Sequence, residues 1–284
     1  MGELLYAAKI THVPSMYLSE LPGPNQGTRQ EAIDGHKEIS KRCRELGVDT
    51  IIVFDVHWLV NSGYHLTCCE HFEGTYSSNE LPHFIKDMHY EYDGNPALGE
   101  LIAECANAKG VGTRAHQIES LGLEYGTIVP MRYMNEDKHF KVVSVAAWCA
   151  WHKLEDSRKF GEAVLDAIEK SDNKVAVLAS GSLSHRFNDN TDEDDRIFEI
   201  SDEFYRQVDL RVLDLWQQGD FKVFTDMLEE YAVRCQGEGG MHDTAMLLGM
   251  LGWEKYTEKV RIITDYFPSS GTGQVNAEFP LPAT

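Results

Sequence analysis

A chain of 284 residues, 42% hydrophobic and 25% charged, has the make-up of a globular protein with a large core in one or two domains, and it excludes a disordered chain. Its formal net charge of -20 excludes nucleic acid and an anionic membrane surface as partners, since both attract basic patches. No apolar run approaches a membrane span and residues 1–11 do not read as a signal peptide, so a soluble cytoplasmic protein is expected.

The six cysteines, Cys43, Cys68, Cys69, Cys105, Cys149 and Cys235, contain no CxxC pair and read as reduced thiols. Cys68 and Cys69 are adjacent and could take a soft metal, but neighbours on a strand face opposite ways, and that reading is preferred.

Leu4 to Thr11 reads as a first strand running into His12-Val13-Pro14, where proline forces a turn and leaves His12 at the strand edge. A loop rich in proline and glycine precedes a helix from Thr28 to Leu46, with Ala32, Ile39, Cys43 and Leu46 inward, His36 solvated and Gly47 as C-cap. Ile51-Ile52-Val53-Phe54-Asp55-Val56-His57-Trp58 is then the pattern of a central parallel strand buried on both faces. Strand, helix and strand make a βαβ unit, and ligands of such sheets bind beyond the strands' carboxyl ends, where His57 lies.

Gly63 to Glu70 is a further strand, and 71–95 reads as a long irregular loop covering a pocket. Its histidines, with His65 before them, lack zinc spacing and suit the surface or the substrate side. Helices over Pro96–Ala108 and Ser157–Glu169 alternate with strands near Thr113, over Lys141–Trp148 and over Lys174–Ala179, and Tyr125 to Met134 is short helix or extended chain. The last of these strands delivers Gly181-Ser182-Leu183-Ser184-His185, so a third strand end carries a histidine.

The acidic run Asp192 to Asp195 lacks the alternating spacing of a calcium loop and reads as the first turn of a helix whose face includes Ile197, Ile200, Phe204 and Val208. Phe221–Arg234 and Thr244–Leu251 are further helices, split by a glycine hinge holding Glu238, which is either a first-turn capping residue or a ligand. His242, one turn on, is a rival ligand. Val260–Tyr266 is the last strand, and the tail from Pro268 reads as irregular. The fold class expected is α/β, one domain over 1–284, with a mostly parallel central sheet flanked by helices and a metal site at the strand carboxyl ends.

Two histidines and one carboxylate from distant segments form the ligand set that binds non-haem Fe(II) and leaves coordination positions open, and His12, His57 and Glu238 supply those types. The segments Thr11-His12-Val13-Pro14, Asp55-Val56-His57-Trp58, Gly181-Ser182-Leu183-Ser184-His185 and Gly237-Glu238-Gly239, in this order, resemble the class III extradiol ring-cleaving dioxygenases of the protocatechuate 4,5-dioxygenase β-subunit type.

The resemblance covers nearly the whole chain and implies that His12, His57 and Glu238 bind Fe(II), with Mn(II) as the alternative, and that His185 is the acid/base. It further implies a catechol, 3,4-dihydroxyphenylacetate, as partner with O2, and 5-carboxymethyl-2-hydroxymuconate semialdehyde as product. A homo-oligomer is expected from the apolar helices near the carboxyl end. One departure stands out: relatives carry a second active-site histidine where this chain has Tyr125-Gly126, so either Tyr125 donates a hydrogen bond there, or His116 substitutes, or His185 works alone. No residue among Arg132, Arg186 and the histidines of 71–95 stands out as partner for the substrate carboxylate. The rival readings are a metal-dependent hydrolase on the same scaffold, which would favour zinc and consume no dioxygen, and a non-catalytic binding protein, which the full ligand set argues against.

Overall fold

The apolar run at 51–56 is the spine of the molecule. In the computed structural model, which describes residues 1–188 and 194–282, Ile51, Ile52, Val53 and Phe54 have no solvent exposure. Ile52, Phe54 and Val56 enter the core on one side of the sheet, and Ile51 and Val53 the core on the other. A strand with no wet face has no polar positions to alternate, which is why the run is continuously apolar.

In chain order, β1 (Glu3–Ile10) leads to α1 (Ser15–Glu20), α2 (Gln30–Leu46) and β2 (Thr50–Val60), then β3 (Tyr64–Thr67) and the pair β4 (His71–Tyr76) and β5 (Met88–Asp93). Next come α3 (Pro96–Ala108), β6 (Thr113–His116), α4 (Tyr125–Met134), β7 (Lys141–Cys149), α5 (Leu154–Lys170) and β8 (Lys174–Ser180). The carboxyl third holds α6 (Glu203–Gln218), α7 (Phe221–Arg234), α8 (His242–Leu251), β9 (Arg261–Ser269) and β10 (Thr272–Glu278). The main sheet has the order β6-β3-β7-β2-β8-β1-β10-β9. Its centre, β7, β2, β8 and β1, is parallel, while β10 and β9 add an antiparallel edge. The expected α/β fold with a mostly parallel, helix-flanked sheet is the one observed.

Register is what builds a site from this sheet. Ser180 at the end of β8 pairs with Ile10 of β1 on one side and Asp55 of β2 on the other. Three adjacent strands are thus in register at Ile10, Ser180 and Asp55, and the residues two positions on, His12, His57 and Ser182, arrive at one place. Strand β2 does not stop at His57, as the sequence implied. Pairing with β7 moves from Asp55–Ala146 to Leu59–Trp148, so a bulge holds Val56, His57 and Trp58 out of the ladder before the strand resumes. Bulges of this kind re-aim side chains.

Several expectations change. The 71–95 segment is not an irregular loop, because β4 and β5 pair as an antiparallel hairpin. Only its tip is irregular, and Glu80, Leu81, His83 and Phe84 there do cover a cavity. The tail is also ordered, since β10 is inserted between β1 and β9 and buries Thr272 to Ala277. Its polar sequence hid this strand: Gln274 and Asn276 are buried with their amides hydrogen-bonded. Asp192 and Glu193 of the acidic run lie outside the described residues; a short 3-10 turn spans Asp194–Phe198, and the helix beyond starts at Glu203, capped by Asp202. Cys68 and Cys69 do face opposite cores, and the five cysteines whose side chains are described are free and buried. The side chain of Cys149 lies outside the described set. The apolar helix α8 is buried within the chain itself, so it offers no surface for self-association.

His36 is buried rather than solvated, its ring nitrogens 2.8 Å from Ala32 O and 2.9 Å from Thr11 O. Its place one helical turn after Ala32 and one before Ile39 put it on the inner face all along. Burial pushes His36 and His242 down to about 4 from 6.5, so both are neutral in the fold. The unfolded chain then binds more protons between those values: stability is complete above pH 6.5 and is lost as pH falls toward 4. The loss is up to about 3 kcal/mol for each histidine. Thermal denaturation of metal-free protein should show Tm falling across this window, with a shallower fall for His36→Gln; an unchanged slope in that variant would show that His36 does not carry the effect.

Candidate metal centre

Three side chains, His12 and Glu238 buried and His57 half-buried, meet beyond the paired residues Ile10, Ser180 and Asp55. His12 Nε2 lies 2.9 Å from His57 Nε2 and 3.0 Å from Glu238 Oε1, and His57 Nε2 is 3.0 Å from the same oxygen. Among the described residues, these form the one cluster of histidine, cysteine or carboxylate side chains with metal-binding separation. Each is positioned by its own backbone. His12 follows β1 and is fixed through Nδ1, 2.9 Å from Ser180 Oγ at the end of β8. His57 lies in the β2 bulge, where its N–H donates to Asp55 Oδ1 at 2.8 Å.

Glu238 stands between α7 and α8, in a turn where Gly239, Gly240 and Met241 take φ values of 53°, 64° and 64°. Two glycines make that left-handed run accessible. The Glu238 N–H donates to Leu183 O at 3.2 Å, and Oε2 accepts from the Ser182 N–H. The carboxylate is therefore stitched to the loop that follows β8, and Oε1 is left facing the imidazoles.

Proton inventory tests whether a metal ion fits. Ser180 Oγ donates to Gly126 O at 2.6 Å, so toward His12 it can only accept, and it takes the Nδ1 proton. Neutral His12 then presents a lone pair at Nε2 to a carboxylate oxygen and a second imidazole nitrogen. Such a convergence is repulsive unless a proton or a metal ion sits within it. For metal–donor bonds of about 2.1 Å at right angles, donors are separated by about 3.0 Å, which is the edge length of this triangle. The chemistry of the donor set therefore fits a divalent ion.

The electrostatics ask for the same thing. Burial opposes ionisation of Glu238, yet the imidazoles of His185, His12 and His57 outweigh it and hold the carboxyl well below its ordinary range. Burial likewise opposes charge on His12, and the Glu238 carboxylate beside it prevails, raising its pKa. The centre is built to hold positive charge.

A cavity of about 370 Å³ opens from this cluster, with Val13, Leu81, Phe84 and Phe187 in its wall. His185 lines it, with Nε2 3.4 Å from Glu238 Oε1 and its ring edge-on to Phe187 at 4.6 Å. Burial lowers its pKa, against the pull of Glu238. Tyr125, at the start of α4, lies over His57 with ring centroids 3.8 Å apart. Burial and then the Glu238 charge raise its phenol, so it stays protonated. Gly126 beside it is required: a Cβ there would lie 2.4 Å from Asp55 Oδ1.

The other candidates sit elsewhere. His116 lines a separate cavity with Trp58 and Leu59, and its Nε2 is 2.8 Å from His65 Nδ1. His242 accepts from or donates to Ser157 Oγ at 2.6 Å and does not join the triangle. His71 pairs at the surface with Asp93, while His83 reaches the cavity. Arg132 is bound to Glu20, and Arg186 is exposed.

Asp209, on α6, was not legible in the sequence. Its carboxylate accepts from the Ser184 hydroxyl at 2.6 Å, the Tyr231 hydroxyl at 2.7 Å and the Tyr266 hydroxyl at 2.9 Å. It thereby ties α7 and β9 to the residue before His185. Burial pushes this carboxyl up to about 6. The only sequence signal was a single acid on an otherwise apolar helical face.

An open, mostly parallel sheet, with two imidazoles from its strand segments meeting a carboxylate from a helix–helix turn beside a cavity, defines a metal-dependent enzyme of the α/β class. Residues 6–280 match the family described as the catalytic LigB subunit of aromatic ring-opening dioxygenase, and the chain belongs to that family, whose dioxygenases are metal-dependent. The resemblance read from four short segments is borne out along almost the whole chain. An Escherichia coli protein named 3,4-dihydroxyphenylacetate 2,3-dioxygenase is 66% identical over 260 residues, 92% of this chain and 94% of the relative. A Pseudomonas 2-aminophenol 1,6-dioxygenase beta subunit is 23% identical over 243 residues, 81% of this chain and 79% of its own. The crystal structure of an uncharacterized Escherichia coli K12 protein shares the fold, with a TM-score of 0.65 at 16% identity, covering 97% of this chain and 100% of that one. No helix among the described residues is long and apolar enough to cross a membrane.

Asp209→Asn would turn an amide NH2 toward hydroxyl donors that now meet a carboxylate. Urea denaturation should show a loss of about 3 kcal/mol, the scale of breaking charge-assisted bonds and leaving their partners buried. A loss under about 1 kcal/mol would mean the network contributes little to the fold.

Proposed function

We propose that this enzyme opens the ring of 3,4-dihydroxyphenylacetate beside the diol with O2, giving 5-carboxymethyl-2-hydroxymuconate semialdehyde, and that Fe(II), with Mn(II) as the alternative, is its metal. The observation that carries the reading is the 66% identity, over 92% of the chain, to a relative named for that reaction. His12, His57 and Glu238 would hold the ion, since two imidazoles and one carboxylate on one face suit Fe(II) and leave positions free. When bound, the metal supplies contact between the diol and dioxygen and a path for electrons between them.

The chain's own part is placement and proton movement. Val13, Leu81, Phe84 and Phe187 pack the aromatic ring and keep water from it. His185, neutral because burial lowers its pKa, takes a proton at its imidazole from a catechol hydroxyl and returns one as the ring opens. Tyr125 cannot serve as a base, because its phenol is held protonated; it donates a hydrogen bond toward the cavity. His116 has no part in this scheme, since it lines another cavity. The whole of 1–284 is one catalytic domain in this reading. The enzyme is further proposed to be cytoplasmic and homo-oligomeric, self-association being supported by the exposed Leu59, Ile118 and Trp151.

Anaerobic Fe(II) reconstitution followed by 3,4-dihydroxyphenylacetate and air should give oxygen uptake and a yellow semialdehyde absorbance. Zinc hydrolysis would consume no oxygen, so absence of both signals, with protocatechuate and simple catechols also inert, would sink the proposal. His12→Ala, His57→Ala and Glu238→Ala should each lose bound metal and activity together, as measured by metal analysis after dialysis. His185→Phe should keep its metal and lose turnover by about 10²–10⁴-fold, the usual worth of a general acid/base. Full activity in any one of these variants would remove that residue from the site.

A further inference from the structure

The cavity presents a charge problem. Glu80 and Glu238 are in its wall, no lysine or arginine lines it among the described residues, and the chain as a whole carries -20. A carboxylate-bearing substrate entering this field needs a positive charge close by. Of Arg132, Arg186 and the histidines of 71–95, left open above, Arg132 is bound to Glu20, Arg186 is at the surface, and His83 lines the cavity.

Arg29 lies just behind the wall. It is 6% exposed, and among the described residues no carboxylate pairs with it. Its Nε donates to Ser15 Oγ at 3.0 Å and its Nη2 to Ile197 O at 3.1 Å, while its guanidinium sits 4.8 Å from the Phe198 ring centroid and 5.1 Å from that of Phe267. All of these partners are neutral. Burial pushes the guanidinium down only to about 10, so it keeps its charge at neutral pH. A buried cation without a counter-ion is costly, and a site that retains one beside a ligand cavity leaves that charge to be met by a ligand.

Ser15 carries the charge to the cavity. Ser15 lines the wall and its hydroxyl accepts from Arg29, which leaves its own proton for Ser269 or for a ligand. Ser269 Oγ, also in the wall, is 3.3 Å away. Neighbouring Thr272 is already committed, donating to Ser269 O at 2.6 Å. The two hydroxyls share one proton between them, so one hydroxyl donor of this pair, polarised by an arginine, remains for an anion. Ser15 is three residues after His12, a reach of at most about 10 Å, so one small aromatic acid can touch both ends.

We propose that Arg29, acting through the Ser15 hydroxyl, is the positioning residue that selects a substrate with a carboxylate side chain over an uncharged catechol. This rests on the ring-opening reading above and adds to it the means of recognising the acid. Charge-assisted hydrogen bonding of this kind is directional and lost with either partner.

The test compares 3,4-dihydroxyphenylacetate with uncharged 4-ethylcatechol on the Fe(II)-loaded wild-type, Arg29→Met, Arg29→Lys and Ser15→Ala enzymes. Arg29→Met should raise KM for the acid by about 10- to 100-fold with kcat little changed, and leave KM for 4-ethylcatechol nearly as it was. Arg29→Lys should recover part of the preference, and Ser15→Ala should weaken it in the same direction. Equal losses on both substrates would show that Arg29 only staples the 194–198 turn, and an unchanged acid preference would overturn the proposal outright. Should Arg29→Met fail to fold, Ser15→Ala decides alone by the same ratio. If the wild-type enzyme opens neither catechol, the reaction has been misread, and calorimetric titration with phenylacetate still decides this point: binding lost in Ser15→Ala supports it, and equal or absent binding ends it.

Discussion

Two imidazole nitrogens and a carboxylate oxygen, all within about 3 Å of one another and nearly dry, concentrate electron density that only positive charge can relieve. Much of the architecture serves to hold that arrangement. Left to themselves, the three groups would move apart, so the backbone must prevent it. β1 and β8 end level with the start of the β2 bulge, the bulge turns His57 inward, and the left-handed turn after Glu238 locks its carboxylate onto the Ser182 N–H. Binding a divalent ion would exchange this repulsion for coordination, which couples metal affinity to the same backbone features.

The legible part of the fold was the part dictated by periodicity. A continuous apolar strand, an amphipathic α2 closed by Gly47 at φ 76°, and the alternation of strand and helix all follow from local rules, and they suffice to define a parallel sheet. What escaped were elements whose stability comes from tertiary partners. β10 is polar because its inward amides meet Thr11, Thr264 and Ala32, and such a strand carries no hydrophobic signature. The β4–β5 hairpin likewise encloses Gly74 against Tyr90, a packing that no alternation of its own sequence announces.

The site divides in the same way. His12, His57 and His185 could be picked out because each follows an apolar run read as a strand, and chemistry in open sheets gathers at strand ends. Glu238 was ambiguous between capping and ligation until Gly239 and Gly240 proved to bend it away from its helix. His116 and Tyr125 were equal candidates for one vacancy in a pattern, and only packing separates them: Tyr125 lies on His57, and His116 on His65. Arg29 had no signal at all. An arginine opening a helix looks like an ordinary surface residue, and its significance lies in having neutral partners, a property of the folded state alone.

Buried charge beneath the site follows one logic. Lys9 of β1 pairs with Asp243 at the start of α8, neither reaching solvent, and both press on Gly181, where a Cβ would lie 2.9 Å from Asp243 Oδ2. Asp55 accepts from Thr127 and from the His57 N–H; Asp209 accepts from Ser184, Tyr231 and Tyr266. Apolar groups of equal volume could stabilise these positions as well, since desolvation offsets much of what a buried ion pair gains. Apolar contact, however, tolerates sliding, whereas a carboxylate that must satisfy several donors accepts one geometry. Each of these charged groups joins a segment bearing a site residue to a neighbouring element, β1 to α8, the β2 bulge to α4, the His185 loop to α6. Removing one partner would cost about 3–5 kcal/mol and, more to the point, free one donor of the triangle from the others. The polar layer is thus best understood as the means by which an ordinary α/β sheet holds mutually repelling ligands in register.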